Sequence, residues 1–283
     1  MDLPNFFIAG APKAGTDLLY YQLDQHPQIY MSPLKEPNYF ASEIRLHNFH
    51  PLLRPQIERG ASSMRAYLDA EVIAKRFGGM ITNMSDYKRL FAAIDSEVAI
   101  GEGSVCYLWS RTAASAISDM LPRARIIIVL VDPAERAFHQ YLKSLSDGMV
   151  AHSFSEHLKL GFKDQDESDS EIRLFNPFLG FGKYAEQVQR YMQHFPCHQL
   201  SISLYEDTQA DYDRWFRNIL SFLGVDSTFR PPDVDSPSKP HFSEDVPAPQ
   251  LLPSDRARLS EYYRDDILSL QDLIHRDLSA WLR

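Results

Sequence analysis

"FFIAGAPKAGTDLLYYQL", residues 6–23, decides how the chain is read. Residues 5–10, "NFFIAG", are an apolar run ended by glycine, the pattern of a short buried strand. Residues 16–26, "TDLLYYQLDQH", place apolar side chains at 18, 19, 20 and 23, which predicts a helix packed on a sheet. Between them lies "GAPKAGT". A glycine-rich turn from a strand into a helix presents unpaired N–H groups and the positive end of a helix dipole. Gly10 and Gly15 permit close backbone approach, Lys13 adds a point charge and Thr16 a hydroxyl donor. The turn therefore reads as an anion-binding, P-loop-like element, or more plainly as a surface turn with a solvated lysine. It is not a Walker A loop, because its lysine precedes the second glycine instead of following it.

Working outward, further strands are predicted at 97–104 ("EVAIGEGS"), 124–131 ("ARIIIVLV") and 199–207 ("QLSISLYED"). The second of these is apolar on both faces, as in a central parallel strand. Helices are predicted at 85–94 with Ser85 as the start, at 111–121 and at 132–145 with Asp132 as N-cap and Pro133 following. Others span 181–195, 212–224 and 253–274, the last with Ser254 as N-cap. Residues 27–40 are proline-punctuated and extended, and 226–253 form a long proline- and serine-rich loop. Strands alternating with helices imply an α/β fold, a single domain over 1–283 with a central parallel sheet flanked by helices.

The 283 residues are 44% hydrophobic and 24% charged, ordinary for a soluble globular protein. No apolar stretch approaches the ~20 residues of a membrane span. A first strand beginning by about Asn5 leaves no room for a signal peptide, so a cytoplasmic protein is expected. Cys106 and Cys197 make no disulfide framework, and the ten histidines show no metal-ligand spacing, so no metal is expected. A net charge of −9 argues against a nucleic-acid partner, though it says nothing about one small basic pocket.

"PKAGTDLLYYQLDQHPQIYMSPLKEPNYF" (12–40) and "RARIIIVLVDPAERAFHQYLKSLSDG" (123–148) resemble the PAPS-dependent sulfotransferase family, in its bacterial and carbohydrate-type branch. PAPS is 3′-phosphoadenosine 5′-phosphosulfate. The likeness continues through "GEGSVCYL" (101–108), "LYED" (204–207), "FLGV" (222–225) and "RDLSAWL" (276–282). It implies that Pro12, Lys13, Ala14, Gly15, Thr16 and Asp17 form the 5′-phosphosulfate loop, with Lys13 steadying the bridging oxygen. It implies Glu36, in "LKEPNYF", as catalytic base. Lys35 would orient an anionic acceptor group, Ser104 matches a serine near the active site, and Tyr39, with Tyr20, Tyr21 and Phe40, reads as acceptor lining or as core. Lys239 and His241, in the long loop, are candidates for the nucleotide phosphates. Glu102 reads as a site residue or as a lysine's partner, and Trp109 and Trp281 as structural.

Arg136 reads as structural, paired with Asp132 or Glu135, or as a nucleotide contact. Three positions depart from the family pattern. Asp17 replaces the second threonine of the loop, Val131 the arginine of the 3′-phosphate site, and His139 the serine beside it, where it can still donate to the nucleotide phosphate and, as imidazolium, add charge. Asp17 either points outward, complementing the helix dipole, or inward, repelling the anion. Two functions follow: transfer of a sulfuryl group from PAPS to a small-molecule or glycan acceptor, or a non-catalytic binding role for a fold that has lost PAPS. A P-loop nucleotide kinase fits worse, lacking Gly-Lys-Ser/Thr and a magnesium-binding aspartate after a strand.

Overall fold

Apolar runs too short to be helices line up here as one parallel sheet. The computed structural model describes residues 3–46, 54–166, 178–232 and 248–283. Its first part contains β1 (Phe6–Gly10), α1 (Thr16–Asp24), β2 (Ile29–Met31), β3 (Leu34–Lys35), α2 (Arg54–Leu68), β4 (Arg76–Phe77) and α3 (Met84–Arg89). Then follow β5 (Ala99–Gly103), α4 (Cys106–Trp109), α5 (Ala113–Met120), β6 (Arg125–Leu130), α6 (Pro133–Ser146) and α7 (Phe154–Asp166). The last part holds α8 (Tyr184–His194), β7 (Leu200–Leu204), α9 (Tyr205–Ala210), α10 (Tyr212–Leu223) and α11 (Pro253–Ile274).

The main sheet runs β2-β5-β1-β6-β7, every pairing parallel, with helices flanking it. β1 is central because its side chains, Phe6, Phe7 and Ile8, are apolar in succession and sealed on both faces. Ile126 through Leu130 of β6 are buried for the same reason. A second, two-stranded ladder pairs β3 with β4 in register Leu34 to Arg76 and Lys35 to Phe77. Among the described residues no helix is long and apolar enough to cross a membrane.

The helix starts decide several expectations. Asp132 caps α6 as read, its carboxylate accepting from Ala134 N at 2.8 Å, with Pro133 behind it. α3 is capped by Asn83 instead of Ser85: Asn83 holds extended backbone (φ −132°, ψ 151°) and accepts from Asp86 N at 2.8 Å. Ser85 already lies inside the helix. α11 begins at Pro253 after Leu252, so Ser254 is also internal and the proline's fixed φ sets the entry. The strand expected to reach 207 stops at Leu204, where α9 begins. Gly224 ends α10 in left-handed conformation, as its position predicts.

Candidate active site

Because all strands of the main sheet are parallel, their carboxyl ends share one edge, where open α/β sheets hold ligands. The turn after β1 meets there the ends of β5, β6 and β7. No side chain caps α1 at Gly15, which leaves its first-turn N–H groups facing the turn. Gly15 has φ +77°, and a Cβ added there would sit 2.9 Å from the Tyr205 ring. The turn is thus a cradle closed on one side by an aromatic face at the start of α9. Thr16 and Ala14 are buried within it, while Pro12 and Lys13 are half-buried.

Lys13 itself takes a left-handed backbone, φ 66°, rare for a residue with a Cβ. Burial lowers its pKa; Asp17 pulls it upward, and Lys143 and Lys35 push it down. His139 sits on the exposed side of α6. Partial desolvation lowers its pKa despite Glu135, and Lys13 adds to the lowering, so it offers a neutral ring at neutral pH instead of an imidazolium. Lys143 follows one turn after His139 on the same helix. Its electrostatic contact with Lys13 was not foreseen, although the helical spacing carried that signal.

Glu36 approaches from the other side. It also has a left-handed backbone, φ 63°, as does Asn38 at 58°. Such residues persist where surrounding contacts over-determine them, and here they do. Glu36 N donates to Gly103 O at 2.8 Å, and Gly79 N donates to Glu36 O at 3.0 Å. Asn38 Nδ2 donates to Glu36 O and to Gly79 O, both at 2.9 Å, while Asn38 N donates to Ser104 Oγ at 3.2 Å. Cys106 Sγ donates to Asn38 Oδ1 at 2.7 Å. Asn38 escaped sequence reasoning, although asparagine tolerates left-handed backbone better than most residues.

The Glu36 carboxylate accepts from Val105 N at 2.9 Å through Oε2 and from Lys35 Nζ at 2.7 Å through Oε1. Lys35 is 1% exposed, and its ammonium also lies 2.6 Å from Asp17 Oδ1. Burial works against its charge, but Glu36 and Asp17 more than offset that, and its pKa is raised. Lys35 is thus paired with two carboxylates of its own chain. The Asp17 carboxylate pairs with Lys35 while still acting on Lys13, a partner that neither expected course had named.

Beneath Glu36 lies a second carboxyl, Glu102, with no exposed surface. It accepts from Ser104 Oγ at 2.6 Å, Tyr87 OH at 2.7 Å and Tyr107 OH at 3.1 Å. Burial raises its pKa to about 7 against these hydrogen bonds. Glu102 has hydroxyl partners, not a lysine. Ser104 is wholly buried in this network, tied to Glu102 and Asn38, where it supports the Glu36 segment. Tyr39 stacks on Tyr87 with ring centroids 4.4 Å apart, which makes it packing for the same network.

On the α6 side, Val131 is buried and its carbonyl accepts from Tyr184 OH at 3.0 Å. Arg136 is structural, though its partners differ from those expected. It donates to Gln140 Oε1 at 2.5 Å and to Phe178 O, while Asp132 and Glu135 pair with Arg256. Trp281 is buried with Nε1 donating to Glu206 Oε1 at 2.9 Å; Trp109 is half-buried against Phe181. Lys239 and His241 lie outside the described residues. Among the described residues no group of histidine, cysteine and carboxylate side chains is placed to hold a metal.

A model of the sulfotransferase family matches residues 4–229. The chain belongs to that family. A sulfotransferase from Alicyclobacillus acidocaldarius, known from its crystal structure, is 32% identical and covers 100% of both chains with a TM-score of 0.77. Bifunctional heparan sulfate N-deacetylase/N-sulfotransferase 3 of Homo sapiens is 27% identical over 99% of this chain and 31% of its own length. Carbohydrate sulfotransferase 15 of Homo sapiens is 23% identical over 99% of this chain and 54% of its own length. The sulfotransferase described here thus spans only part of the length of these human relatives.

Proposed function

We propose that the chain transfers a sulfuryl group from PAPS to a hydroxyl or amine of a small-molecule or glycan acceptor. The observation that carries this reading is the meeting, at one sheet edge, of the Lys13 turn and the Glu36 carboxylate. Pro12 to Thr16 fit the donor's 5′ end: the helix N-terminus is uncapped, Gly15 leaves room below Tyr205, and Lys13 supplies a cation. When bound, the donor supplies the sulfuryl group and a phosphate leaving group. The acceptor oxygen or nitrogen bonds to sulfur as the sulfur–phosphate oxygen bond breaks, and the acceptor proton passes to Glu36. Lys13 neutralises charge developing on the departing oxygen, a contribution that pre-placed charges make without reorganisation. Glu36, fixed by Lys35 and Val105 N, is positioned as general base. The names of the human relatives, which act on heparan sulfate and on carbohydrate, favour a glycan among the acceptor classes.

A second reading, a non-catalytic member of the fold, is favoured by one observation. Val131 is buried and His139 uncharged where the family pattern places groups for the 3′-phosphate. Calorimetric titration with PAP separates the two. Micromolar binding supports the donor; no binding up to millimolar PAP overturns it in favour of the second reading. Given binding, Lys13→Ala and Glu36→Gln should each lower turnover by about a hundredfold or more with an unchanged circular dichroism spectrum. Normal turnover in either variant would sink the assigned mechanism.

A further inference from the structure

Asp17 stands in a turn suited to anions, and its carboxylate lies on Lys35. Lys35 Nζ is thereby placed between two carboxylates, 2.6 Å from Asp17 and 2.7 Å from Glu36, with its side chain 2% exposed. A lone ammonium at that distance, buried with Glu36 alone, would hold the carboxylate strongly anionic and make it a poor proton acceptor. A second carboxylate on the same ammonium divides its field. Asp17 lies in the first turn of α1, and the Glu36 carboxylate accepts from Val105 N at the start of α4, so the ammonium is shared by two carboxylates that each face a helix start.

We propose that Asp17 is a positioning residue for Glu36, acting through Lys35: it anchors the ammonium that holds the Glu36 carboxylate beside the phosphate turn, and takes up enough of that charge for Glu36 to work as a base. This rests on Glu36 as the proton acceptor of the proposed transfer. The other groups around Glu36 are consistent with it. Glu36 adds to the burial that disfavours the charge of Glu102, on β5. Cys106, on α4, is kept a thiol by burial and by Glu36 and Glu102. Lys13, in the turn, is coupled to both Asp17 and Lys35. Asp17 and Lys35 also depend on each other, because removing one member of a buried pair leaves an uncompensated charge.

The test uses the full chain labelled with 13C at glutamate carboxyls, the Glu36 resonance being assigned by its loss in Glu36→Gln. In Asp17→Asn and Asp17→Thr the titration midpoint of Glu36 is expected to fall by about one pH unit, since Lys35 then acts on Glu36 alone. The acidic limb of kcat/KM should move the same way, with kcat down about fivefold. Adding Lys35→Met to Asp17→Asn should bring the midpoint back up, which separates a change of field from damage to the fold. An unmoved Glu36 midpoint in both Asp17 variants, with tighter PAP binding, would overturn the proposal and leave Asp17 as a repulsive neighbour of the donor. The titration is read without turnover. A wild-type chain that transfers nothing would therefore refute the proposed reaction while this coupling still stood or fell on its own midpoint.

Discussion

Glu102 shows how one residue can make the whole molecule sensitive to pH. Its carboxyl is sealed from water, and its pKa rises from 4.5 to about 7. Below 4.5 folded and unfolded chains both hold this proton; between 4.5 and about 7 only the folded chain keeps it. Folded stability from this group is complete at low pH and declines as pH rises through that window, by on the order of 3 kcal/mol. Urea unfolding of the wild type and Glu102→Gln at pH 5, 6, 7 and 8 should show a decline in the wild type that the variant lacks. Parallel curves would refute the assignment. Individual residues were unevenly legible in the sequence. Lys13 and Glu36 were readable because each sits in a local pattern. The Asp17–Lys35 pair was not, because β3 brings the two together through long-range packing, and a charge's partner is invisible until the chain has folded. The depth at which Lys35 and Ser104 are buried was hidden for the same reason.

At the scale of elements, runs with a clear period were readable and their ends were not. β1, β5, β6 and the long helices announce themselves through apolar spacing, which is local information. Caps depend instead on where the backbone leaves the helical region. Ser85 and Asn83 are both acceptable cap residues by type, yet Asn83 alone holds extended backbone and bonds to Asp86 N. Asn83→Ala should therefore cost about 1 kcal/mol in chemical denaturation, while Ser85→Ala should cost less than half of that. Equal costs would show that the helix starts elsewhere. The β3–β4 ladder was wholly unreadable, since strands of two residues carry no periodicity. It nonetheless fixes the Glu36 segment: Gly78 N donates to Lys35 O at 2.8 Å, one residue before Glu36.

For the molecule as a whole, alternating strands and helices imply a parallel sheet, but the order β2-β5-β1-β6-β7 comes from pairings far apart in sequence. The family match ends at residue 229, whereas the core does not. α11 buries Leu259, Tyr263, Ile267 and Leu270 against α8 and α6, and Tyr263 OH donates to Leu179 O at 2.8 Å. A fragment of residues 1–229 should therefore lack a cooperative thermal transition and aggregate, while the full chain unfolds in one step. A sharp transition in the fragment would show that α11 is an accessory. The left-handed backbone at Lys13, Glu36 and Asn38 bears on anyone wishing to retarget the enzyme. β-branched residues and proline fit those backbone angles poorly, so a library that randomises these positions should be depleted in them among its folded members. Phe77, 56% exposed with its ring 5.0 Å from Lys35 Nζ, sits on the surface instead, where diversity can be placed without breaking the contacts that hold the buried Lys35–Glu36 pair.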